Sequence, residues 1–203
     1  MDWRQVAEEI GDALNRPPTV AAQSGSVSDA LSPPLRALYA TCDGADLPIG
    51  SLYPQRLALE RSEAAPFHPD WVVCGDDGRG TFWLCAREPE DGLWFTTWDH
   101  DAGVEIDGAV WPDLAGLLRG VFADLLSIGR GEAAFVIEDV PAAARMDVVR
   151  ELGTLVSAGS AERLRMLKAL PVEVPSDDAQ VAYDAVRRLR PAGVRCHLRI
   201  DWL

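Results

Sequence analysis

Five residues able to bind a metal, move a proton or carry charge fall in two short stretches: Asp76-Asp77, inside Gly75-Asp76-Asp77-Gly78-Arg79-Gly80, and Asp99-His100-Asp101. Carboxylates are hard ligands for Mg²⁺ or Mn²⁺, and a histidine beside them would serve as a further ligand or as a base, so the set is one a metal-dependent hydrolase would want. A second explanation needs no ligand. Asp and Gly are the residues that build tight turns between strands, because Asp bonds to its own backbone and Gly tolerates positive φ. Asp99 and Asp101 are only two positions apart, no second acidic motif stands at a recognised spacing, and no glycine and distal glutamate follow in EF-hand register. The turn reading accounts for more of these residues. Neither a metal nor a cofactor is expected, and hydrolysis through Asp76, Asp77, Asp99 and Asp101 stays as the lesser alternative.

Nucleophilic chemistry has less support. Cys42, Cys74, Cys85 and Cys196 show no C-x-x-C spacing and no paired histidines, which fits reduced, buried thiols. No lysine precedes Lys168 to lower the pKa of Cys74 or Cys85. Cys196 and His197 are neighbours in a strand-like run and therefore point to opposite faces. There is no G-x-S-x-G and no H-E-x-x-H. The glycines at 75, 78 and 80 follow a strand but open another strand, so a phosphate would lack the helix N-terminus it needs. No catalytic residue is assigned.

The charge has a location. The net charge is −13, and residues 1–128 hold 21 acids against 8 arginines, whereas residues 129–203 hold 11 of each sign. The whole imbalance belongs to the first part, which points to two domains, 1–128 and 132–203, joined near Gly129-Arg130-Gly131. Phosphate contacts need a basic face, so direct nucleic-acid binding by the first domain is not expected. An acidic face attracts a basic protein and speeds its encounter, although it also simply aids solubility. Arg187, Arg188, Arg190, Arg195 and Arg199, set against eleven acids, are expected to form ordinary surface pairs. No apolar run is long enough for a membrane span and the N-terminus lacks the apolar core of a secretory signal, so a cytoplasmic protein is expected. Nothing in the sequence points to a particular oligomeric state.

These residues must be positioned by regular elements. The stretch from Trp71 to Asp101 reads as three strands: Trp71 to Cys74, Thr81 to Ala86, and Leu93 to Trp98, with Asp/Gly turns between them. It holds four of the seven tryptophans (Trp71, Trp83, Trp94, Trp98), which suggests that much of the core lies there. Before it, residues 2–14 place Trp3, Val6, Ile10 and Leu14 at helical spacing, Pro17-Pro18 ends that helix, and a polar loop follows. A helix over Leu35 to Cys42, a strand within Leu47 to Tyr53 and a helix over Leu57 to Ala64 complete the approach. After it come an edge strand or loop over Gly103 to Val110 and an amphipathic helix over Pro112 to Ile128. The remainder alternates: a strand over Ala133 to Val140; a helix over Ala142 to Val156 with Met146, Val149, Leu152 and Val156 on its apolar stripe; a helix over Ala161 to Leu170; a strand over Pro171 to Val174; a helix capped by Ser176-Asp177-Asp178 that runs to Leu189; and a strand over Val194 to Asp201.

The order carries a resemblance. A Pro-initiated helix ending in Cys42-Asp43-Gly44, then Trp71-Val72-Val73-Cys74-Gly75-Asp76-Asp77-Gly78 with Gly80-Thr81-Phe82-Trp83-Leu84, then Trp98-Asp99-His100-Asp101 and a Leu-rich helix, resembles the SUKH superfamily over residues 25–128. The resemblance implies an α+β fold with a mostly antiparallel sheet flanked by helices. It also implies a protein-binding module without enzymatic activity. Many bacterial members are immunity proteins that neutralise a cognate toxin, often a nuclease. The β-α-α-β-α-β order of the second domain is similar to the C-terminal domain of the bacterial ribosomal stalk protein, through Val148-Val149-Arg150-Glu151-Leu152, Leu170-Pro171, Ser176-Asp177-Asp178-Ala179 and Ala192-Gly193-Val194. Where the stalk carries a lysine-rich factor-binding segment, this chain has Ala158-Gly159-Ser160-Ala161-Glu162-Arg163-Leu164-Arg165. The fold is therefore implied and the ribosomal role is not.

The expected function is binding of a protein, a basic toxin domain in the first instance. Asp76, Asp77, Asp99, Asp101, Glu105 and Asp107, which cluster in sequence around one end of the sheet, are the candidate contact residues. A regulatory scaffold without a toxin partner is the rival.

Overall fold

The computed structural model describes residues 2–65, 69–89, 91–103, 106, 108–128 and 133–201. The fold is α+β. The chain divides into two compact units, one formed by Met1–Glu8 and Pro17–Val121 and the other by Glu9–Arg16 and Phe122–Leu203. Helices α1 (Trp3–Leu14) and α4 (Leu114–Ile128) each give residues to both. The expected linker at Gly129-Arg130-Gly131 lies outside the described residues. No helix among the described residues is long and apolar enough to cross a membrane.

In the first unit, seven short strands among the described residues pair strictly in chain order, each antiparallel to the next. They are β1 (Thr19–Val20), β2 (Ala45–Leu47), β3 (Gly50–Leu52), β4 (Trp71–Asp76), β5 (Thr81–Ala86), β6 (Phe95–Asp99) and β7 (Val110–Trp111). Helices α2 (Pro33–Tyr39) and α3 (Gln55–Glu63) come from the connections. The expected helices and the three tryptophan-block strands are all present. Two local expectations change. The single strand expected within Leu47 to Tyr53 is a tight hairpin, because Pro48 turns the chain and lets Leu47 face Gly50. The polar loop after Pro18 contains β1, a two-residue edge strand whose side chains are both exposed, which is why no apolar alternation announced it. The edge element expected over Gly103 to Val110 contributes only its last residue, paired with Trp111 against β6; residues 104, 105 and 107 lie outside the described residues.

The core sits under β4 to β6. Val72, Cys74, Leu84 and Cys85 are inaccessible, and Leu35, Leu117 and Leu118 of the helices are inaccessible too. Of the four tryptophans in the block, only Trp83 is core; Trp71, Trp94 and Trp98 are half-buried. Trp83 is admitted by Gly75, where a Cβ would stand 2.7 Å from its Cε3. The pairing of β4 with β5 slips between Val73 and Gly75. At that slip α3 intervenes: Ser62 Oγ accepts the Val73 amide at 2.8 Å, and the Tyr53 amide donates to the Cys74 carbonyl at 2.9 Å. Buried backbone groups at the irregularity are thus satisfied from neighbouring elements.

The second unit has the expected β-α-α-β-α-β order: β8 (Ala133–Asp139), α5 (Arg145–Leu155), α6 (Ser160–Met166), β9 (Val172–Ser176), α7 (Ala179–Leu189) and β10 (Arg195–Ile200). Its three strands form an antiparallel sheet in the order β10-β8-β9. Asp178 caps α7 as the sequence suggests, its carboxylate accepting the Gln180 and Val181 amides. The stripe of α5 differs from expectation. Val148, Val149 and Leu152 are buried, whereas Met146 is 62% exposed, because Val148 and Leu152, four apart, set the buried side of α5 and Met146, two residues before Val148, is turned roughly 200° from it. The arginines pair as expected: Arg188 with Glu151 at 2.8 Å, Arg190 with Asp12 at 3.6 Å, Arg195 with Asp139 at 3.8 Å and Arg199 with both Glu173 and Asp201, while Arg187 lies over the Tyr183 ring.

Candidate functional site

The four described candidate acids meet at one end of the first sheet. Strand β5 brings them together: its first residue, Thr81, pairs with Asp99 of β6, and its second, Phe82, pairs with Asp76 of β4. The β4–β5 turn and the exit from β6 are then stitched by the His100 amide, which donates to the Gly80 carbonyl at 3.1 Å. Glu105 and Asp107 lie outside the described residues.

Each acid has a local duty. Asp77 Oδ1 accepts the Arg79 amide at 2.8 Å and the Thr81 amide at 3.0 Å, and the Asp77 amide donates to the Thr81 carbonyl at 3.0 Å. Asp76 Oδ1 accepts the Gly78 amide at 2.8 Å, and its other oxygen accepts the hydroxyl of Tyr53. Asp99 Oδ1 accepts the Asp101 amide at 2.9 Å and so caps a 3-10 turn over His100–Ala102. Asp101 Oδ1 stands 3.2 Å from His100 Nε2. Asp76 and Asp77 are half-buried; Asp99, His100 and Asp101 are exposed. The turn-building explanation of these residues is therefore present in the hydrogen bonds themselves.

Two electrostatic consequences follow. Burial raises the pKa of the Tyr53 phenol far above its ordinary value, and the bond to Asp76 raises it further, so the phenol remains a donor to that carboxylate. The Arg79 guanidinium is pushed down by burial and held up by Asp77.

Asp99, His100 and Asp101 each offer one ligand atom, and these atoms lie within 4.8 Å of one another. Asp76 and Asp77 are not part of that group. All three members are exposed, and Asp99 and Asp101 each turn an oxygen to a backbone or imidazole partner, so the geometry offers a solvent-facing set of weak ligands and no enclosed cation cage. The thiols are no better placed for chemistry. Burial pushes Cys74 well above its ordinary range and Cys85 up to about 12, the latter against the lowering effect of Ser32. Cys196 stands at about 11, raised by burial and lowered by Arg190. Thiols in such surroundings are poor nucleophiles near neutral pH.

What the sequence did not reveal is the aromatic shelf beside the acids. Ser51, Asp76, Phe82 and Trp98 are directly opposed across β3, β4, β5 and β6, so they share one face as a continuous row, and all four are half-buried. The Phe82 and Trp98 rings are stacked with centroids 5.4 Å apart and planes 28° from parallel. Trp98 is held by its indole N–H, which donates to the Gly103 carbonyl at 2.8 Å. The strand register was the missing signal: once Thr81 is set opposite Asp99, Phe82 must face Trp98.

No family model matches the chain, and neither a curated protein nor a solved structure matches it at a significant level.

Proposed function

We propose that the chain is a cytoplasmic, non-enzymatic binding module of the immunity type, which neutralises a basic toxin domain by docking on it and occluding it. The observation that carries the reading is the row Asp76–Phe82–Trp98 with Asp77, Asp99 and Asp101 beside it: a fixed aromatic shelf rimmed by carboxylates on a unit with a large acidic excess. Stacked aromatics that are only half-buried supply contact area at little entropic cost, and clustered carboxylates steer a basic partner. The resemblance of residues 25–128 to the SUKH superfamily supports the same class.

The test first reads the adjacent genes for a basic toxin domain, which then serves as the partner. The two are co-expressed, cell survival is scored, and the association rate is measured against salt for the parent and for a variant with Asp76, Asp77, Asp99 and Asp101 changed to Asn. Protection is expected, with association slowed roughly tenfold or more by the variant and by high salt. A chain that gives no protection, or whose association ignores both changes, overturns the reading; capture of host proteins without protection is the signature of a regulatory scaffold.

A further inference from the structure

Four Asp-Gly bonds occur in the chain: Asp43-Gly44, Asp77-Gly78, Asp91-Gly92 and Asp107-Gly108. The pairing has its own chemistry. The amide nitrogen of the second residue can attack the side-chain carboxyl carbon of the first, closing a five-membered ring, and a glycine there leaves that nitrogen unshielded and the backbone free to turn. Whether attack occurs depends on what else holds the carboxylate and the amide. Asp107 lies outside the described residues; the other three pairs can be compared.

Two of them are held. Asp43 has both oxygens engaged, Oδ1 accepting the Gln55 amide at 2.9 Å and Oδ2 the Ser24 hydroxyl at 2.9 Å. At Asp77-Gly78 both reactants are engaged: Asp77 Oδ1 accepts the Arg79 and Thr81 amides, and the Gly78 amide donates to Asp76 Oδ1 at 2.8 Å. Asp91-Gly92 is different. Both residues are exposed in a turn with φ of +55° and +73°, and the Asp91 carboxylate has no partner among the described residues. The strands beside the turn are pinned, because the Ala86 amide donates to the Trp94 carbonyl at 2.8 Å and the Arg87 amide to the Asp70 carbonyl at 2.9 Å. A change in the turn is therefore contained between them.

We infer that Asp91-Gly92 is a site of spontaneous backbone modification, at which the folded protein converts Asp91 to isoaspartate. The Gly92 nitrogen loses its proton and bonds to Asp91 Cγ, and a carboxyl oxygen leaves as water. Water then adds to the cyclic imide. Opening the bond from the nitrogen to Cγ returns aspartate, whereas opening the bond from the nitrogen to the main-chain carbonyl carbon routes the chain through Cγ. One water is lost and one is regained, and no oxidant or cofactor takes part. The product keeps its charge, lengthens the main chain by one methylene and carries a free α-carboxylate in the turn. The site joins the end of β5 to the start of β6, at the end of the sheet away from the acidic turns, and it does not depend on what docks there.

The test incubates the full-length folded protein at neutral pH and physiological temperature, beside a sample kept unfolded in urea. Isoaspartate is labelled at intervals with an isoaspartyl methyltransferase and radioactive S-adenosylmethionine, and each modified residue is located by fragmentation mass spectrometry. In the folded protein, isoaspartate is expected to accumulate at Asp91 roughly tenfold or more faster than at Asp43 or Asp77, since each of those must first give up two hydrogen bonds. Unfolding should raise the rates at Asp43 and Asp77 to about that of Asp91 while changing Asp91 little. Asp91→Glu keeps the charge but requires a larger ring, so it should abolish the label in that turn. Equal rates at the three sites in the folded protein, no isoaspartate at Asp91, an Asp91 rate that rises on unfolding as much as the others, or label in the Asp91→Glu turn overturns the inference.

Discussion

Gly80 and His100 are in direct contact across the sheet end: a Cβ placed on Gly80 would stand 2.7 Å from His100 Nδ1, and the His100 amide donates to the Gly80 carbonyl. The contact joins the two acid-bearing turns into one surface. Gly80 also has φ near +107°, where a side chain is strained whatever the space around it. Gly80→Ala therefore combines backbone strain with displacement of the imidazole, and a loss of about 2 kcal/mol is expected in denaturant titration. Partner association should slow as well, because the Asp99 turn would be pushed from the Asp77 turn. A variant as stable as the parent would mean that the contact does not hold the turns together.

Asp77 separates charge from architecture. Its Oδ1 accepts two backbone amides, so Asp77→Ala should cost roughly 1 to 2 kcal/mol, whereas Asp77→Asn keeps an acceptor oxygen in place and should fall within about 0.5 kcal/mol of the parent. Equilibrium unfolding of the two variants side by side checks this. Equal losses would show that the charge, and not the hydrogen bonding, supports the turn, and the Asn variants would then be unsuitable for testing steering.

Tyr53 gives the fold an alkaline limit. Its pKa is raised in the folded state, first by burial and then by the bond to Asp76, so folding favours the neutral phenol. That contribution is fully present below the unfolded value of about 10 and is lost as the pH climbs through the higher folded value. Tyr39, also raised, chiefly by burial, titrates in the same sense and remains in the variant. Tyr53→Phe is expected to cost about 1 kcal/mol at neutral pH through the lost bond, and its melting temperature should fall less steeply than the parent's above pH 10. Parallel curves for the two proteins would remove Tyr53 from the alkaline transition.

Periodicity made the helices and the middle strands legible, since each has a one-sided or continuous apolar pattern that local residues set alone. Thr81 to Ala86 begins in the structure where the Asp/Gly turn ends in the sequence and stops where the polar Arg87-Glu88-Pro89 begins. The features that escaped depend on partners distant in the chain. Trp71, Trp94 and Trp98 look as apolar as Trp83, but only Trp83 has Gly75 beneath it, and that pairing follows from the slip after Val73. Met146 stands at helical spacing from Val149, but the side that packs is the one set by Val148 and Leu152, and Met146 is turned away from it. The candidate acids were legible as a group because turn chemistry is local. Their neighbours Phe82 and Trp98 were not, because a cross-strand row exists only once the register is fixed.

Arg163 and Gly153 make the last prediction, in the second unit. Helix α6 buries no residue of its own, so packing alone cannot hold it. The Arg163 side chain anchors it instead. Its Nε donates to the Ala158 carbonyl at 2.8 Å and its Nη1 to the Val149 carbonyl at 2.7 Å, passing over Gly153 of α5. A Cβ on Gly153 would collide with that guanidinium. Gly153→Ala sets two effects against each other: a gain of about 1 kcal/mol in helix propensity for α5, and loss of two charge-assisted bonds worth roughly 1.5 kcal/mol or more each when well formed. Arg163 can swing into solvent only by giving up those bonds, so the net change falls on α6. Amides of residues 160–166 are expected to exchange about tenfold faster in Gly153→Ala, those of α5 no faster than in the parent, and Arg163→Ala should reproduce the α6 effect without the α5 gain. Unchanged exchange in α6 in both variants would show that another contact holds the helix.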